Sequence, residues 1–198
     1  RLGRGGTGPA DPRWVANGRG GVNAGAGDGG GVYAGGDFTT VNGQPRSRLV
    51  KLGNYGVVDA AWNPGAGNGV RALVLDGTEL YVGGAFTTLG GLTRNRLAKV
   101  AATGTGAVDS TWDPNANNTV HTLAMNGDNL CVGGDFTGVG SQTRYYVARV
   151  PKTGSGAPDA WSPNPNIYVR ALVASGDDMY VGGAFTSLGG QSRNRAAK

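Results

Sequence analysis

The chain has 198 residues, 39 of them Gly, with 14 Arg, 12 Asp, four Lys and only one each of Glu, His and Cys, for a formal charge of +5. So little Glu, Lys and Met argues against a helix-rich fold, and Val, Leu and aromatic residues in regular array argue against a disordered chain. The single thiol, Cys131, excludes a disulfide framework or a Cys-cluster metal site, and no apolar run approaches the roughly 20 residues needed to span a bilayer.

The chain starts at Arg1 without an initiator Met or an apolar signal region, which reads as a processed form or a piece of something longer. Arg1-Leu2 has the phase of a third strand, and the stretch up to Trp14 that of a fourth. The unit from 63 to 112 shows the full pattern. Val70 to Leu75 reads as a strand, Asp76-Gly77 as a tight hairpin turn, and Leu80 to Phe86 as a second strand, apolar on both faces and therefore central. A loop from Thr87 to Asn95 leads to a short basic strand, Arg96 to Val100. A Thr-Gly-Thr-Gly turn then leads to a fourth strand, Val108 to Trp112. Asn126-Gly127 and Ser175-Gly176 repeat the first turn in the later units.

The aromatic residues fix the period. Trp14, Trp62, Trp112 and Trp161 are spaced by 48, 50 and 49 residues, and Phe38, Phe86, Phe136 and Phe185 by the same intervals. Four short strands in about 49 residues is the size of a β-propeller blade. The fold expected is all-β, a propeller of about four four-stranded blades, complete or part of a larger ring. Residues 1–198 form one domain, with units 1–14 (partial), 15–62, 63–112, 113–161 and 162–198, the last completed by 1–14. That complementarity favours a closed ring; a cut in arbitrary phase from a larger ring, or pairing of terminal strands between chains, are the alternatives. The Gly pairs Gly35-Gly36, Gly83-Gly84, Gly133-Gly134 and Gly182-Gly183 read as bulges or close backbone approaches near an axis, since no helix follows that would make them a phosphate loop.

Tyr81 to Phe86, Arg94 to Lys99, Gly106 to Asp109 and Trp112 to Pro114, with close copies at Tyr180 to Thr186 and Arg193 to Lys198, resemble the delta-60 type repeat of bacterial β-propellers, which is kelch-like in style. The resemblance covers the whole chain and implies a secreted or cell-surface protein. The first unit departs from it, with Asn23 to Gly27 where the others carry Leu and Val, and Cys131 replaces a Tyr.

Enzyme constellations are nearly absent, no cofactor is expected, and the protein reads as non-catalytic. Asn23, Arg71, His121 and Arg170 share the second position of the inner strand. They form either a polar ligand ring at the channel mouth, with His121 its pH-sensitive member, or tolerant solvent-facing variation. Arg46, Arg94, Arg144 and Arg193 recur once per unit on the same face. They either bind an anionic glycan or other polyanion, or fasten the blades through carbonyls and carboxylates. The repeated Trp read as packed indoles or as sugar platforms, and Asn117-Asn118-Thr119 matches an N-glycosylation acceptor. The Asp residues before each Trp, Asp11, Asp59, Asp109 and Asp159, read as turn or interblade residues rather than calcium ligands. The partner expected is a protein or anionic glycan, without nucleic acid or membrane insertion. A homo-oligomer or filament subunit is the alternative, and an enzyme a distant third.

Overall fold

The computed structural model describes residues 17–27 and 29–198. In the second blade Val70–Asp76 pairs with Glu79–Gly84, which pairs in turn with Leu97–Ala101, all antiparallel, so the strand apolar on both faces is the central one. Gly77 closes the first hairpin in the left-handed region at φ +57, where a Cβ would be strained. The same order recurs in Val22–Gly27, Val32–Gly36 and Leu49–Leu52, in Val120–Asn126, Asn129–Gly134 and Val147–Pro151, and in Val169–Ser175, Asp178–Gly183 and Ala196–Ala197. The inner strands of successive blades pack on one another, which is the propeller arrangement.

Two features differ from the four-strand expectation. The fourth segment is reduced to a single bridge in the first two blades, Leu52 to Val58 and Val100 to Val108. The cause is local. The Asp109 N–H donates to Lys99 O, and its carboxylate then turns to accept from the N–H of Thr111 (2.8 Å) and Trp112 (3.1 Å), so the chain leaves the ladder. Asp59 and Asp159 make matching turns before Trp62 and Trp161. The second feature is a small hairpin inside the expected loop, Thr88–Leu89 against Leu92–Thr93, repeated in every blade. The expected completion of the last blade by residues 1–14 lies outside the described residues.

The core lies between blades. Trp62 and Trp112 are buried, each edge-on to the middle-strand Tyr of its own blade, with ring centroids 5.3 Å apart for both Tyr33–Trp62 and Tyr81–Trp112. Each indole N–H donates across to the next blade, Trp62 to Ala101 O and Trp112 to Pro151 O, both at 2.9 Å. A large apolar body with one polar tip is well suited to that seam. Burial pushes the Tyr81 hydroxyl up to about 12, with Asp76, Glu79 and Asp109 adding to the shift. Cys131 occupies the equivalent position in the third blade, where burial pushes its thiol up to about 11; it is a packing residue rather than a nucleophile.

The Gly pairs have two separate jobs. In the first three blades the first Gly of the pair receives a Val from the next blade: a Cβ on Gly83 would lie 2.6 Å from Val120 Cγ1, and one on Gly133 2.7 Å from Val169 Cγ1, while one on Gly35 would overlap Val70. The second Gly sits under a bulge, where a Cβ on Gly36, Gly84, Gly134 or Gly183 would overlap the carbonyl of Gly21, Gly69, Thr119 or Tyr168. There the register steps from Val70↔Gly84 to Ala72↔Gly83, leaving Arg71 as the extra residue, and the same step occurs in the other three blades.

Candidate axial binding site

The four residues left over by the bulges are Asn23, Arg71, His121 and Arg170, the set that the sequence places at the channel mouth. A bulge re-aims the side chain it displaces, so each blade presents one polar group at the start of its inner strand. The middle strand ends beside it and continues into residue 37, 85, 135 or 184, which is Asp in blades 1 and 3 and Ala in blades 2 and 4. Cations of the even blades reach back to these acids. Arg71 Nη1 lies 2.6 Å from Asp37 Oδ2, which also accepts from Asn23 Nδ2 at 3.1 Å. Arg170 Nη2 lies 3.9 Å from Asp135 Oδ1, and His121 Nε2 lies 2.7 Å from Asp135 Oδ2.

The hydrogen bonds from Arg71 and then Asn23 hold the Asp37 carboxyl below its ordinary value, against the opposing effect of burial. Arg170 also contacts His121 Nε2 and stacks with its guanidinium 4.4 Å from the Tyr168 ring centroid. One imidazole nitrogen either donates to Asp135 or accepts from Arg170, so the proton on His121 selects which neighbour it binds. With His121 neutral the two Arg and two Asp balance, and protonation of His121 adds one positive charge.

The second Arg set lies at the same end of the blades, on the small hairpins, but its groups are held differently. Arg94 is buried, with Nη1 donating to Thr93 O at 2.7 Å and Nη2 to Asp109 O at 2.8 Å. Arg46 is buried likewise on Pro45 O and Asp59 O, and Arg144 reaches Thr143 O and Asp159 O. These guanidinium groups take the carbonyl of the turn Asp, the place where a ladder partner is missing. Arg193 is exposed and donates to Ser192 O.

Asn117 is exposed, and its side chain accepts from the N–H of Thr137 and Gly138 and donates to Thr137 Oγ1. Asn166 makes the same three bonds on Thr186 and Ser187 without any acceptor sequence, so they belong to the repeat rather than to a glycan. Trp62 and Trp112 are buried and offer no sugar platform; Trp161 is half-buried under Arg149, and Trp14 lies outside the described residues. Among the described residues no group of three or more His, Cys, Asp or Glu side chains is placed to hold a metal ion.

The acids Asp37 and Asp135 escaped the sequence reading. The signal for them was the alternation of Gly-Gly-Asp with Gly-Gly-Ala, which marks a two-blade repeat.

Basic side chains on the outer strands brace the turns. Lys99 Nζ lies 2.8 Å from Asp109 Oδ2, and Arg149 Nε lies 2.6 Å from Asp159 Oδ2. Burial works against the Asp109 carboxylate, but the Lys99 ammonium with the Thr111 and Trp112 donors outweighs it and holds the carboxyl well below the usual range. A group depressed on folding stabilises fully above its unfolded value, near pH 4, and that contribution is lost as the pH falls towards the folded value. Asp109→Asn is therefore expected to be less stable than the parent at pH 7, by about 2 kcal/mol. The gap should shrink steadily below about pH 4 in urea titrations. A gap independent of pH would show that the carboxylate charge is not what matters.

The architecture and the repeated interblade seam define a β-propeller repeat protein. A family model described as a domain of unknown function (DUF5122) beta-propeller matches residues 30–61 and 79–111, one segment in each of the first two blades. A comparison with curated proteins gave no match.

Proposed function

We propose that this propeller is a non-catalytic interaction module, of the delta-60, kelch-like style, working outside the cell or at its surface and recognising an anionic glycan or similar polyanion. The observation that carries the reading is that every blade places one bulge-displaced polar group at the same end of its inner strand, gathered in two clusters, Asn23 and Arg71 on Asp37 and His121 and Arg170 on Asp135. Arg forks suit carboxylate and sulfate groups, and an incoming anion competes with Asp37 and Asp135 for them. Arg193, exposed at the same end, extends the basic surface. Arg46 and Arg94 are committed to carbonyls and stand behind this surface as supports.

The test is retention on immobilised heparin, a sulfated glycan, as a function of salt. The parent is expected to elute at higher salt than Arg71→Ala/Arg170→Ala, with affinity for a heparin oligosaccharide reduced about tenfold in the double variant. Equal retention of the two proteins, with unchanged melting, would overturn the assignment of the ligand to the axial cluster.

A further inference from the structure

One of the small hairpins differs from its counterparts. The third blade, flanked by the second and the fourth, carries Gly138 where the others have Thr40, Thr88 and Ser187. It carries Tyr145 where they have Ser47, Asn95 and Asn194, and Tyr146 where they have Arg48, Arg96 and Arg195. The first two departures meet at one place. Gly138 and Tyr145 line an open groove of about 470 Å³ together with Asn117, Thr137, Ser141, Gln142 and Thr143.

The fold itself asks for neither residue. Gly138 is not one of the glycines held at a positive φ. Nor does Asn117 require it, because Asn166 accepts from the N–H of Thr186 and Ser187 just as Asn117 accepts from those of Thr137 and Gly138. A Cβ on Gly138 would lie 3.3 Å from Asn117 Nδ2, so a side chain there would take up space between groove-lining groups. Tyr145 is 44% exposed, and its ring centroid lies 6.3 Å from that of Tyr146, which packs on the core between the third and fourth blades. The exposed ring is thus braced from behind.

The groove is lined without a charged side chain. Arg144 behind it is held by Thr143 O, Asp159 O and Gln142 Oε1, and Gln142 Nε2 donates to Pro158 O at 3.0 Å. Among the described residues, the hydroxyls of Ser141, Thr143 and Tyr145 make no hydrogen bond within the chain. A rigid aromatic face beside several available hydroxyls suits a sugar ring, which has an apolar C–H face and a rim of hydroxyls that both donate and accept. A nucleic acid would need cations for its phosphates, and this hairpin has Tyr146 in place of the Arg of the other blades.

We propose that this groove is a subsite for a neutral carbohydrate. Tyr145 stacks on one pyranose ring, Ser141 and Thr143 bond its hydroxyls, and Gly138 leaves the room it occupies. The inference is independent of the anionic ligand assigned to the axial cluster, because it uses none of the residues of that cluster.

NMR titration of the whole chain with cellohexaose, laminarihexaose, maltohexaose and mannohexaose tests it. At least one of these uncharged sugars is expected to bind and to shift the backbone amides of Gly138, Ser141 and Thr143. Tyr145→Asn and Gly138→Ser each install the residue of the fourth blade, so the fold should tolerate them, and unchanged melting checks this. Each should weaken binding about tenfold, while Tyr145→Phe, which keeps the ring face, should bind like the parent. Binding should also persist in Arg71→Ala/Arg170→Ala and at salt concentrations that release the protein from heparin. No shift with any of the sugars overturns the proposal. So does parent-like affinity in Tyr145→Asn, or loss of sugar binding in the double Arg variant, which would place the sugar at the axial cluster.

Discussion

Truncating Trp112 to Ala is expected to lower the unfolding free energy by about 4 kcal/mol, the upper part of the range for large core aromatics. The indole is fully buried between the second and third blades, edge-on to Tyr81, and its N–H satisfies Pro151 O. Removing it opens a cavity in the seam and leaves the partly buried Pro151 carbonyl without this donor, so packing and hydrogen bonding are lost together. Neighbouring blades cannot close the gap, because Gly156 already abuts the indole edge, where a Cβ would lie 2.9 Å from Trp112 Nε1. Urea unfolding should show a lower midpoint. The half-buried Trp161 gives the control, with an expected loss of about half as much for the same truncation. Equal losses at the two positions would mean that the seam is not what Trp112 stabilises.

Arg94→Ala is expected to cost about 3 kcal/mol, while Arg193→Ala, at the equivalent position of the repeat, should cost less than about 0.5 kcal/mol. Arg94 spans Thr93 O and Asp109 O and ties the small hairpin to the turn that ends the blade. Without it, both carbonyls lose a charged donor inside the fold. Arg94→Lys should recover little, because a single ammonium cannot reproduce the fork that meets both oxygens. Thermal and urea unfolding of the three variants separate a fastening role from a ligand role. A stable Arg94→Ala that has lost heparin retention would return Arg94 to the binding surface.

The legible part of this protein was the part repeated locally. The intervals between Trp residues carried the blade phase because Trp62 and Trp112 are buried at equivalent seams. Asp76-Gly77 and its equivalents carried the hairpins because a two-residue connection demands a left-handed backbone at Gly77. The fourth strand misled for an equally local reason. Val108 to Trp112 alternates like a strand, but Asp109 captures the N–H groups of Thr111 and Trp112 that would have continued the ladder. The axial cluster was half legible. Its four bulge residues were named from their shared position, but the acids that hold them were not, since Arg71 meets Asp37 34 residues away and the contact crosses between blades.

The sequence by itself determined an all-β chain of period about 49 residues, its hairpin turns, its Asp-capped blade ends and the paired glycines at each bulge. The turns and the Asp-capped ends are set by backbone sterics and by hydrogen bonds within a few residues, whereas the glycines and the Trp spacing are legible because the same interblade contact recurs with the period. Tertiary structure alone decided which equivalent residues are equivalent in environment. Arg94 and Arg193 read alike, yet one is buried and the other exposed; Tyr81 and Tyr180 read alike, yet one is sealed under Trp112 and the other open to solvent. Burial of a blade face depends on the neighbour that covers it, and a repeat unit carries no record of its neighbour.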